Sequence, residues 1–188
     1  AAARGSIAKN MERQVRKGTM NEDQRAEALA RIASSTSMEA VRDVAVAIEA
    51  VSEDRQLKYR LFEQLDELLP PGAILASNTS SISITALAAR TDRPEAVIGM
   101  HFMNPVPVMS LVEIVRGLAT APETAQRTLD LARALGKTPV EVNDSPGFVS
   151  NRILLPMINE AVYCLMEGVA QPEAIDSVMK LGMNHPMG

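Results

Sequence analysis

Residues 97–115 read VIGMHFMNPVPVMSLVEIV, two runs of strand-forming side chains on either side of a proline-bearing turn. A hairpin-like return through Asn104-Pro105-Val106-Pro107 brings the second run alongside the first. His101, one of two histidines in the chain, stands at the end of the first run, and Glu113 sits among Leu, Val and Ile in the second. A carboxylate in such a strand is costly to bury unless it is paired. A lone histidine is more often structural than catalytic. An imidazole partnered by a buried acid is different: the acid orients the ring, sets its tautomer and raises its basicity, the arrangement of a general base.

Outward from this pair the chain alternates between strands and helices. Towards the N-terminus, residues 73–76 read as a strand, followed by Ser77-Asn78-Thr79-Ser80-Ser81 and a short helix over 85–89. Residues 54–69 carry a helical apolar period (Leu57, Leu61, Phe62, Leu65, Leu68) that stops at Pro70-Pro71-Gly72. Residues 44–51 read as a strand apolar on both faces, preceded by a short helix over 38–42 and a short strand over 33–36. Residues 1–32 favour helix, with a break at Lys17-Gly18 and Asn21 as an N-cap. Towards the C-terminus come a helix over 122–135, closed by Gly136, and a strand over 138–142. After Asp144-Ser145-Pro146-Gly147 only helices follow, over 151–168 and 172–181, with Pro156 placed to kink the first. The pattern predicts an α/β Rossmann-like domain over 1–146 and the start of an all-α domain over 147–188. The first strand comes late and the last residues form a loop, so both domains are expected to be incomplete.

Bulk properties exclude several functions. The 188 residues carry a net charge of −4, 46% apolar and only 3% aromatic residues, with neither a basic field nor stacking platforms for nucleic acid. A single cysteine, Cys164, supports neither a disulfide framework nor a zinc site and points to a reducing compartment, the cytoplasm. No run of about 18 apolar residues marks a membrane span. The only glycines before residue 72 are Gly5 and Gly18, so the phosphate-cradling Gly-x-Gly-x-x-Gly is absent.

Other polar positions have competing readings. The hydroxyls and amide of 77–81 follow a buried strand on the rim where open α/β sheets bind ligands, although they would also serve to cap the next helix. Asn151 reads as an N-cap, Arg152 as a partner of solvent acids, and Cys164, Met157 and Met166 as core. Arg13, Arg16 and Lys17 form a basic cluster that is either a solvated face or a phosphate contact.

Four stretches, ILASNTSSISIT, VIGMHFMNPVPVMSLVEIVRG, ALGKTPVEVNDSPGFVSNRILLPMINEA and MKLGMNHPMG, together resemble the 3-hydroxyacyl-CoA dehydrogenases, most closely the bacterial 3-hydroxybutyryl-CoA type. The resemblance runs in order over nearly the whole chain. It implies reversible NAD- or NADP-dependent oxidation of a short-chain (S)-3-hydroxyacyl-CoA, and a homodimer built through the helical domain. By position, His101 matches the catalytic base and Glu113 its paired acid, while Ser80 and Asn151 match substrate-holding residues. Glu53, Lys58, Asn78 and Asn104 match residues lining the nicotinamide nucleotide site. Arg13 and Lys17 match basic residues that contact the CoA phosphates, although lysine is usual at the first. The same resemblance implies that the glycine loop and most of the helical domain are missing, so these residues alone are expected to be nearly inactive. Alternatives are a segment of a multifunctional fatty-acid oxidation protein, a sugar-acid dehydrogenase and a non-catalytic structural relative.

Overall fold

The computed structural model describes residues 2–188, so the expected helix start at Ala1 lies outside the described residues. Helix α1 (Ala2–Arg16) stops before Gly18, whose φ of 74° suits glycine and ends the run. Helix α2 (Glu22–Ala30) opens on a reciprocal capping box: the Gln24 N–H donates to the Asn21 side chain at 2.8 Å, and the Asn21 N–H donates to Gln24 Oε1 at 2.9 Å. No strand forms over 33–36. The hydroxyl of Ser35 takes the Ser37 N–H and bonds the Ser37 carbonyl, and this local turn chemistry displaces the strand. The helix over 38–42 is a 3-10 turn, Met38–Val41.

Five strands form one sheet in the order β1 (Val46–Glu49), β2 (Ile74–Ser77), β3 (Val97–Phe102), β4 (Leu111–Arg116) and β5 (Thr138–Asn143). All neighbours pair in parallel except β3 and β4, which are antiparallel and place His101 directly opposite Glu113. The Asn104–Pro105 peptide in their connection is cis. Helices α3 (Arg55–Leu68) and α4 (Ile84–Ala88) cover one face, where Phe62, Leu65 and Leu87 pack with Leu75, Val97 and Val115. Helix α5 (Pro122–Ala134) covers the other, where Ala125 and Ala132 meet Ile74, Ile98, Met100, Val112 and Ile114. The alternation of side chains along each strand feeds the two layers in turn.

Strand β1 is shorter than the sequence suggests and is not buried on both faces. Ile48 remains 43% exposed, because α5 packs on β3, β4 and β5 and β1 lies at the edge of the sheet. Beyond β5 come only helices among the described residues: α6 (Ser150–Met166), which continues past Pro156, then α7 (Pro172–Ser177) and a π-helical turn, Val178–Gly182. Met166 is 73% exposed and α6 buries no residue fully, so the expected core role fails for Met166. Met157 and Cys164 instead line an apolar groove between α6, α7 and the last residues. The junction is tightly held: Phe148, with φ of 50°, is only 3% exposed and packs in the α3–α4 layer.

Gly99 in β3 shows how closely α4 sits on the sheet. A Cβ there would lie 2.7 Å from Val115 Cβ and 3.0 Å from Ile84 Cδ1, inside any normal contact. Gly99→Ala is therefore expected to destabilise the fold by about 1–3 kcal/mol through overpacking, read as a lower urea midpoint with unchanged slope.

Candidate active site

Strand alternation sends the side chains of Glu49, Ser77, His101 and Glu113 to the face covered by α3 and α4, at the end of the sheet where β1 and β2 terminate. His101 Nδ1 lies 2.7 Å from Glu113 Oε2, both groups buried. Glu113 also accepts the Val149 N–H at 3.2 Å and the Ser150 N–H at 2.9 Å through Oε1, and the Ser150 hydroxyl at 3.1 Å through Oε2. It thus supplies the acceptor that the open first turn of α6 lacks, a favourable place for negative charge. Burial pushes the Glu113 carboxyl up, but hydrogen bonds from His101, Ser150 and Val149 outweigh it and hold the group below its ordinary value. A carboxylate only accepts, so Nδ1 of His101 carries a proton, and in the neutral ring Nε2 is left as the acceptor. The Phe148 ring meets the imidazole edge-on, with centroids 5.5 Å apart.

The free nitrogen faces Ser80, whose Oγ is 3.0 Å from Nε2. Ser80 is held from behind by Glu53. Oε1 of that carboxylate accepts the Ser80 N–H at 3.0 Å, the Ser81 N–H at 3.1 Å, the Ser81 hydroxyl at 3.0 Å and the Thr79 hydroxyl. Burial raises the Glu53 carboxyl, yet these bonds and the nearby Lys58 ammonium bring it below its ordinary value. The stretch 77–81 does not cap α4; Ser83 does, through the Ala86 N–H.

One group that sequence reasoning missed lies beneath this rim. Glu49 is buried, with Oε1 2.7 Å from Lys58 Nζ and 2.6 Å from the Val51 nitrogen, and Oε2 accepting the Ser77 hydroxyl at 2.7 Å. The signal was present, since Ala-Ile-Glu-Ala-Val repeats the pattern of an acid in an apolar strand that singled out Glu113. Lys58, only 1% exposed at its side chain, also reaches Glu53 Oε2 at 3.4 Å and the Val51 carbonyl at 3.3 Å.

The remaining candidates are placed as follows. Asn78 accepts the Phe102 N–H at 2.8 Å and ties the end of β2 to the end of β3. Asn104 is exposed in the β3–β4 connection. Asn151 is not the N-cap: Val149 holds that position, and Asn151 lies half-buried inside the first turn of α6, next to Ser150. Arg152 pairs with the Ser145 hydroxyl rather than with an acid. Arg13 and Lys17 are exposed at the end of α1, and no described contact joins either to the groups around His101. Among the described residues no group of three or more His, Cys, Asp or Glu is placed to hold a metal, and no helix is long and apolar enough to cross a membrane.

Comparison with known proteins identifies the family of the chain. Residues 1–145 match the 3-hydroxyacyl-CoA dehydrogenase NAD binding domain, and residues 147–188 match the C-terminal domain of the same family. The chain is 58% identical over 182 residues to a probable 3-hydroxybutyryl-CoA dehydrogenase of Bacillus subtilis, covering 97% of this chain and 63% of that protein. It is 50% identical over 180 residues to the 3-hydroxybutyryl-CoA dehydrogenase of Clostridioides difficile, covering 96% and 64%. The crystal structure of (S)-3-hydroxybutyryl-CoA dehydrogenase from Ralstonia eutropha superposes with a TM-score of 0.95 at 50% identity, covering 98% of this chain and 65% of that one. The chain thus spans a little under two thirds of the length of these relatives. It belongs to the 3-hydroxyacyl-CoA dehydrogenase family.

Proposed function

We propose that this chain forms part of an NAD(P)-dependent dehydrogenase that interconverts short-chain (S)-3-hydroxyacyl-CoA and 3-oxoacyl-CoA, with His101 as general base. The observation that carries the reading is the continuous line Ser80 Oγ, His101 Nε2, His101 Nδ1 and Glu113 Oε2, with spacings of 3.0 and 2.7 Å across the ring. The substrate class follows the names of the relatives in Bacillus subtilis and Clostridioides difficile.

The donor and acceptor set fits a dinucleotide. Glu53 Oε1 is saturated by four donors, whereas Oε2 has one contact, at 3.4 Å, on a side chain 39% exposed. That spare acceptor in the turn between β1 and α3 suits a ribose hydroxyl. Glu53 would hold the ribose, Lys58 would back it, and Asn78 and Asn104 would border the nicotinamide end. When bound, the nicotinamide supplies the two-electron acceptor for the hydride leaving C3.

The residues of this chain perform the rest. His101 Nε2 takes the proton of the 3-hydroxyl as the carbon–oxygen bond gains double-bond character, and returns it in the reverse direction. Glu113 stabilises the imidazolium so formed while remaining ionised. Ser80 donates to the same oxygen and Asn151 holds the thioester end, so that the reacting hydroxyl is oriented before proton transfer. Arg13 and Lys17 supply positive charge suited to the CoA phosphates. We further infer two domains, 1–146 for the dinucleotide and 147–188 for the substrate side, a homodimer through the helical part, and a cytoplasmic enzyme.

In a protein carrying this chain at the length of its relatives, His101→Gln is expected to lower kcat at least about a hundredfold with the fold retained. Acetoacetyl-CoA-dependent NADH oxidation measures this, and near-normal turnover would remove His101 from the role of base. Glu113→Gln should lower kcat more than it weakens NADH binding; the reverse would make Glu113 a structural acid only. The same variant carries a pH signature. Glu113 lies below its ordinary 4.5 when folded, so its contribution to stability is complete above that value and is lost as pH falls through the folded value. Thermal melts between about pH 5 and 3 should therefore decline less steeply for Glu113→Gln than for the parent.

A further inference from the structure

We infer that Glu49 is a positioning residue of the dinucleotide site: its buried charge holds the Lys58 ammonium off Glu53 and so keeps Glu53 Oε2 open to a ligand hydroxyl. This rests on the proposed role of Glu53. Two carboxylates share one ammonium here, unequally. Lys58 Nζ is 2.7 Å from Glu49 Oε1 and 3.4 Å from Glu53 Oε2. The nearer pair is fully buried, the farther carboxylate half-exposed, so the lysine is neutralised from below and Glu53 retains most of its charge for the solvent side.

The remaining bonds of Glu49 serve the same rim. Oε1 accepts the Val51 N–H at 2.6 Å, which fixes the turn leading to Glu53. Oε2 accepts the Ser77 hydroxyl at 2.7 Å, and Ser77 Oγ in turn accepts the Thr79 N–H at 3.2 Å, one residue before Ser80. The Glu49 carbonyl accepts the Asn78 N–H at 2.8 Å. One side chain therefore links the end of β1, the first turns of α3 and the end of β2. A glutamine can replace most of these bonds: its oxygen serves Lys58 and Val51, while its amide donates to Ser77 Oγ and leaves the Ser77 hydroxyl proton without this acceptor. Glu49→Gln thus removes the charge together with one buried acceptor, and Glu49→Asp keeps both in kind. Lys58 then has Glu53 as its only anionic partner and draws on Oε2, the atom assigned to the ligand.

The test is NADH binding, titrated by fluorescence alongside steady-state kinetics, in a protein carrying this chain at the length of its relatives. E49Q is expected to raise the NADH Kd and the KM for NADH roughly five- to tenfold, the net scale of one ordinary hydrogen bond, with kcat and the KM for acetoacetyl-CoA within about twofold. E53Q alone should weaken NADH comparably or more, and E49Q should add nothing in an E53Q background, because Glu49 acts through Glu53. E49D, which keeps the charge at shorter reach, should lie nearer the parent than E49Q. Parallel losses in kcat, both KM values and melting temperature would mean a structural role and overturn the inference. So would an additive E49Q effect in the double variant, or E49D as impaired as E49Q. If E49Q fails to fold, E49D decides alone: an NADH Kd within about threefold of the parent supports the role of charge, and a tenfold loss overturns it. If E53Q leaves NADH binding unchanged in an active enzyme, the assignment of Glu53 fails instead, and the inference about Glu49 falls with it.

Discussion

The carboxylate of Glu113 is the constraint around which the two parts of the chain are arranged. Placed beneath the sheet surface, it cannot stay charged without donors, and one strand cannot supply enough of them. Its antiparallel neighbour offers His101 on one oxygen, and the first turn of α6 offers two backbone N–H groups and the Ser150 hydroxyl. The helix needs an acceptor as much as the acid needs donors, because Val149 at its N-cap brings no polar side chain. A single buried charge thereby joins β3, β4 and α6. Phe148 closes the junction from the other side, in a left-handed conformation that its burial against the imidazole offsets.

The same logic recurs on the other side of the rim. Glu49, Lys58 and Glu53 form a graded set, from fully buried to half-exposed, so that charge is compensated below and left available above. Hydrogen bonds from 79–81 hold Glu53 by one oxygen, and Ser80, fixed by that grip, turns its hydroxyl to His101. The two clusters meet at Ser80. In the proposed reaction the oxygen of the substrate enters where Ser80 and His101 already face one another, which limits the reorganisation left for the moment of proton transfer. The even register of the sheet makes this possible: Glu49 aligns with Ser77, and His101 with Glu113, all on the α3–α4 face.

Much of this is legible in the order of residues along the chain. The strand–turn–strand stretch around Asn104-Pro105, the helix ending at Pro70-Pro71-Gly72 and the capping box at Asn21 are local signals, each decided by a few adjacent residues. An acid in Leu-Val-Glu-Ile-Val announces that a partner must exist. Where local reading fails, a neighbour distant in sequence has intervened. Residues 33–36 pair with no strand among the described residues, and Ser35 bonds Ser37 instead. Ile48 looks buried because its neighbours are apolar, but a helix covers only the far strands on that face. Asn151 looks like a cap because it follows Pro146-Gly147, whereas the capping acceptor comes from Glu113, about forty residues earlier in the chain.

By itself the sequence determined the order and type of most elements, though not the strand expected over 33–36, together with the family resemblance and the residue types able to do acid–base chemistry, because periodicity, caps and turns act over a few residues. Only the tertiary structure decided which groups share a proton or a charge. The spacing of His101 and Glu113, the tautomer it imposes, the burial of Lys58 on Glu49 and the tie of α6 to β4 all depend on register and on desolvation. Those are properties of the packed molecule, set by which surfaces exclude water from one another.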